Sequence, residues 1–213
     1  MRMATERESG DGCAVSTSFM AGLNHNERRR REGDFRSLAS DAYCGALVSR
    51  YGTDPARVPV WVLAELFSFG SFTSLYLFCA KRWGNKEMEN EHYMLRQAQF
   101  VRYACAHSSN IINGFGIKDN TVDTNINIER ALTETGLSHR TRTARMRNPR
   151  LRQIATVMYL HSKLIREGQT RLRARRDLSE LKKRMAAMVE LTPTNDTIRS
   201  SFGFLTCLID SWF

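Results

Sequence analysis

Arg102 and His107, five positions apart in "FVRYACAHSSNIING" (residues 100–114), are the pair in this chain best suited to do chemistry. A histidine of ordinary pKa, about 6.5, can take or give a proton at neutral pH. A guanidinium can stabilise charge on phosphoryl oxygens through its paired N–H donors. Together they suit cleavage of an RNA phosphodiester in which the RNA's own 2′-OH attacks the neighbouring phosphorus, a route that needs no metal. The spacing is a weak sign by itself. With 26 arginines and five histidines in 213 residues, about 0.6 such pairs arise by chance.

Helical projection adds to it. At about 100° per residue, Gln99, Tyr103, Ala106, Asn110 and Asn113 share the arc between Arg102 and His107, while Val101, Ala104, Cys105, Ile111 and Ile112 lie opposite. Such a helix has a wet front and an apolar back. Ala106 leaves a shallow floor between the two charged groups, and Asn110 is placed to orient either. One histidine does not easily serve both ends of the reaction. A second copy across a twofold axis would bring in another, so a homodimer is expected.

The elements that must position the pair read as helices throughout. The spacing predicts a long helix from about Lys86 to Asn113, ended by Asn-Gly. Upstream, "DFRSLASDAYCGALVSRYG" predicts a helix with Asp34 as N-cap and Gly52 as its stop. Residues 58–80 are long and apolar enough to span a bilayer, but Glu65, Gly70 and several Ser/Thr residues interrupt them. They read as two buried helices, 60–68 and 71–82. Downstream, "HRTRTARMRNPR" reads as a basic connector. Pro149 opens a helix to about Glu167, a second runs over about 169–191, and an apolar helix closes the chain. No strand-like alternation persists. The class is all-α, with a flexible, disordered basic arm over 1–33 and a single helical domain over 34–213.

Charge narrows the partners. The net charge is +10 and the pI about 9.8, which favours phosphate-bearing ligands, RNA above all. Arg140, Arg142, Arg145 and Arg147, then Arg171, Arg173, Arg175 and Arg176, are candidate contacts to an RNA backbone. Five cysteines without a CxxC pair fit reduced thiols of a cytoplasmic protein. The N-terminus has no apolar signal segment. Walker, GxGxxG, HExxH, GxSxG and paired-carboxylate metal motifs are absent, and no cofactor or metal is expected.

Two stretches carry a resemblance. "VPVWVLAELFSFGSFTSLY", through Glu65, Ser68, Phe69, Gly70, Leu75 and Tyr76, is followed by "FVRYACAHSSNIIN", through Arg102, Cys105, Ala106, His107, Ser109 and Asn113. Together they resemble the Abi-like family of bacterial abortive-infection proteins, over about 45–113 and more weakly over 195–213. That family resembles the HEPN superfamily of helical, commonly dimeric proteins whose R-x4–6-H motif marks metal-independent ribonucleases. The resemblance implies a HEPN-like bundle, catalytic roles for Arg102 and His107, and support from Asn113 and Glu65. It also implies a toxin or phage-defence role, with a neutralising RNA or protein as partner. Tyr103 stands where the pattern has a site-setting Asn, and Ser108 where it has a second His. The polar arm stands where the family has an upstream helical segment. A non-catalytic RNA-binding regulator and a membrane-associated toxin remain the alternatives.

Overall fold

The computed structural model describes residues 10–119 and 123–213. Among them the chain forms eleven α-helices and two short 3₁₀ turns, and no strand. The fold is all-α. It divides into two compact units, Met1–His92 and Tyr93–Phe213.

The first unit overturns the expected arm. Residues 1–9 lie outside the described residues, but α1 (Cys13–Ala21) and α2 (His25–Ser37) are helices that pack into a core. The reason is local. "CAVSTSFMA" sets Val15, Phe19 and Met20 on one side, and all three are buried, as is Phe35 of α2. The polar average of the segment conceals this stripe. The side chain of Asn24 begins α2 by accepting from Glu27 N at 2.9 Å. Asp34 lies inside that helix rather than at its start.

The four-arginine run splits by face. Arg28 donates from Nε to Met20 O (3.0 Å) and from Nη2 to Ala21 O (2.9 Å), satisfying the last carbonyls of α1. Arg31 is buried with its guanidinium 5.5 Å from the Phe19 ring centre. Burial pulls its pKa below the usual arginine value.

After α3 (Gly45–Tyr51), the long apolar stretch forms α4 (Val60–Leu66) and α5 (Phe69–Arg82). The break falls at Phe67–Ser68, just before Gly70, because the Ser68 hydroxyl caps α5 by accepting from Ser71 N. Among the described residues no helix is long and apolar enough to cross a membrane.

α6 (Lys86–Ala106) begins in the first unit and continues into the second. The second unit adds α7 (Ile126–Thr133), α8 (His139–Met146), α9 (Pro149–Leu164), α10 (Gln169–Leu191) and α11 (Asp196–Trp212). Its core joins Leu151, Ala155 and Met158 of α9 to Phe202, Leu205 and Leu208 of α11. The supposed basic connector is helix α8, because the Ser138 hydroxyl accepts from Thr141 N and caps it. Asn148 caps α9 in the same way, with Pro149 at the first helical position.

Candidate functional site

The helix that carries Arg102 ends sooner than its sequence pattern predicts. α6 stops at Ala106, seven residues before Asn113. Ser108 turns left-handed at φ +49°; Ser109 N then donates to Ala104 O (2.8 Å) and Ser108 N to Cys105 O (3.3 Å). This is a Schellman close, usually built on glycine. His107 is its C-cap, and its N–H still donates to Tyr103 O at 3.0 Å. Ser108, which stands where the resembled pattern has a second His, is therefore the residue that turns the chain.

The projected front and back must be corrected accordingly. Asn110 and Asn113 do not lie on the helix of Arg102. The Asn110 side chain accepts from Ile112 N at 3.0 Å and starts the 3₁₀ turn Ile112–Gly114. Asn113 is exposed. Ile111 and Ile112 do pack on the second unit's core, but after the chain has turned. On α6 itself Val101 and Ala104 are only half-buried, and Cys105 is exposed.

Arg102 and His107 remain together at the end of α6, about 7.5 Å apart along the axis. Both are exposed, and neither side chain bonds another group among the described residues. Neither group would have to give up a protein partner to take an anion from solvent. Tyr103 lies between them in sequence and accepts a bond at its hydroxyl from Gln99 Nε2 (2.9 Å). Glu65 is exposed on α4, in the first unit.

The other resembling residues hold structure. Ser68 caps α5, and the Gly70 carbonyl accepts from Thr73 Oγ1 (2.9 Å) and Ser74 Oγ (3.1 Å). Tyr76 donates from its hydroxyl to Glu91. Burial, then that carboxylate, pushes the Tyr76 pKa far above the usual phenol value. Buried His92 sets Nδ1 2.9 Å from Thr73 O. These contacts pin α5 to the start of the helix that ends in Arg102 and His107.

The expected RNA contacts separate. Arg171 is committed to structure: Nη1 donates to Ser162 O (3.1 Å) and Ile165 O (3.2 Å), and Nη2 to Trp212 O (3.2 Å). Arg175 bonds Phe213 O and, at 3.1 Å, Glu167. Both tie α10 to the end of α11, a role that only a carbonyl-rich tertiary corner reveals. Arg173 and Arg176 are exposed. Arg142 donates to Leu137 O at 2.5 Å. With Arg147 and His139 it lines a cavity of about 480 Å³ that also holds Asp119, Asp123 and Glu129. That mixed charge does not make a phosphate track. Arg140 is exposed, and Arg145 borders a smaller recess with Asp196.

One feature of α6 escaped the sequence reading. Tyr93 (58% exposed), Phe100 (45%) and Tyr103 (42%) recur at heptad-like spacing that ends on His107. The signal was legible as aromatics at i, i+7 and i+10.

This stretch, from α1 through the turn after His107, is matched at residues 8–113 by the family model for Abi-like proteins. The chain belongs to the Abi-like family. Membership ties it to abortive infection, a phage-defence response. The Abi-like match includes α1 and α2, so the upstream helical segment that the arm was expected to replace is present. No curated protein and no solved structure matches the chain.

Proposed function

We propose that this Abi-like protein is a metal-independent endoribonuclease of a phage-defence or toxin–antitoxin system, HEPN-like in its bundle and in its Arg102–His107 motif. One observation carries the reading. Within the family-matched segment, an arginine and a histidine stand exposed and unengaged at one helix end. The 2′-OH of the RNA is the nucleophile. His107 moves the proton and Arg102 neutralises charge building on the phosphoryl oxygens. Asn110, Asn113 and Tyr103 lie in the same stretch of chain and support the site.

An open pair on one chain leaves catalysis half-built, since a single imidazole serves one end of the displacement. A homodimer supplies the second. The exposed aromatic stripe of α6 is a seam suited to another copy of the same helix, and it would bring two His107 side chains to one substrate. A neutralising RNA or protein partner holds such an enzyme in check, and Arg140, Arg173 and Arg176 are exposed cations available to the substrate backbone.

The openness of the pair equally favours a second reading, an RNA-binding regulator that does not cut. Incubating the wild-type chain and His107→Ala with mixed RNA in EDTA separates the two. Cleavage by the wild type that falls about 10²–10⁴-fold in the variant supports the enzyme. Equal cleavage by both chains removes His107 from the chemistry, and binding without cleavage leaves the regulator.

A further inference from the structure

Gly33 is a helix-interior glycine that the fold does not require. It sits in α2, and a Cβ placed there would meet nothing within 4 Å. Its φ is not positive, since Gly33 is not among the residues of left-handed backbone. Glycine is the poorest helix former after proline, so an exposed position with open space around it would ordinarily carry another residue. Its neighbours explain the choice. On a helix surface, residues three and four apart adjoin, and those around Gly33 are Arg29, Arg30, Arg36 and Ser37, all exposed.

The rest of α2 isolates this face. With about 100° per residue, Asn26, Arg29, Arg30, Gly33, Arg36 and Ser37 span an arc of about 120°, opposite buried Arg31 and Phe35. Arg28 and Arg31 are turned inward, as described above. Arg29 and Arg30 form no ion pair or hydrogen bond among the described residues. Among the described residues Arg36 meets only Glu32, at 3.4 Å and largely in solvent, a pairing of little worth that a stronger anion can replace.

We infer that this face of α2 is a seat for the ribose–phosphate backbone of RNA, in which bare Gly33 lets a phosphate reach the helix surface between three guanidinium groups. The arginines supply fork-shaped donors matched to phosphate. Arg29 and Arg36 lie about 10 Å apart along the axis, enough to follow a strand rather than hold one small anion. The face displays no large exposed apolar side chain. A membrane-surface helix needs one to enter lipid, and a protein interface needs one as an anchor. The seat is in the first unit, away in sequence from Arg102 and His107, and it does not depend on cleavage.

The test uses the full His107→Ala chain, which removes the proposed cleavage chemistry, and a labelled single-stranded RNA 20-mer titrated over a series of salt concentrations. Each lost phosphate contact lowers the slope of log affinity against log salt by about 0.7. Arg29→Ala with Arg30→Ala should therefore lower it by about 1.4 and weaken binding about 25-fold at 0.1 M salt. Gly33→Leu keeps every charge but covers the seat. It should raise the melting temperature by about 2–4 °C and still weaken binding. Lys183→Ala with Arg184→Ala removes the same charge from exposed α10 and should leave the slope nearly unchanged. Unchanged affinity in Gly33→Leu, or an equal loss from the α10 control, overturns the proposal. So does poly-glutamate that competes as well as RNA at equal charge, because the face would then fit an acidic protein. Cleavage by the wild type is scored separately, so a failure of the ribonuclease reading leaves this result standing.

Discussion

Replacing Asn148 should loosen the chain just beyond the candidate site. Asn148 is 4% exposed and uses its whole amide. Oδ1 accepts from Leu151 N at 2.9 Å and caps α9, while Nδ2 donates to Gly114 O and Ile117 O, each at 2.7 Å. These bonds hold the segment that follows Asn110 and Asn113 against the start of α9. Asn148→Ala removes a cap worth about 1 kcal/mol. It also strips the donor from two carbonyls, at about 1–2 kcal/mol each. The expected loss is about 3–5 kcal/mol. Asn148→Ser keeps an acceptor for the cap but not the donors, and should lose about 2–4 kcal/mol. Urea unfolding followed by helical circular dichroism measures both. Amide exchange at Phe115 and Ile117, whose N–H groups bond Ile112 O and Gly114 O, should accelerate in the same order. A loss below about 1 kcal/mol in Asn148→Ala, with exchange at these amides unchanged, would refute the reasoning.

Three further outcomes follow from named contacts. Ser108 at φ +49° makes Ser108→Gly stabilising by about 0.5–1 kcal/mol and Ser108→Val destabilising by about 1–2 kcal/mol in the same unfolding assay. Arg171→Ala, which gives up three carbonyl partners, should cost about 2–4 kcal/mol, whereas exposed Arg173→Ala stays within about 0.5 kcal/mol. His161 has a buried Nδ1 without a hydrogen-bond partner and a ring 5.2 Å from that of Phe213. Burial, then Arg171, lowers its pKa from 6.5. The unfolded chain thus takes up the proton first. Stability is full above pH 6.5 and falls as pH drops from there through the depressed folded value. Thermal melts from pH 7.5 to 5 should show that decline, and His161→Phe should flatten it.

The helical class, the two apolar helices of 58–80, the helix opened by Pro149 and the family resemblance were legible in the sequence because they rest on local patterns. Periodicity, capping residues and short motifs act within a few residues of one another, so the chain alone carries them. The Arg102–His107 pair was legible in the same sense, being one turn and a half of a single helix. The N-terminal helices were hidden by averaging, since three apolar side chains in α1 and Phe35 in α2 suffice to bury a segment in which α1 is otherwise small or polar and α2 mostly charged.

Tertiary structure decided the rest. Asn-Gly at 113–114 promised a helix end that Ser108 had already made, because burying Ile111 and Ile112 on the second unit's core requires the chain to turn before them. The chain's 26 arginines could not be sorted by composition into ligand contacts and struts; Arg28 and Arg171 became struts only where helix-end carbonyls converge on them. Charge is a property of the residue, but whether it is available to a partner depends on which backbone groups the fold leaves unsatisfied beside it.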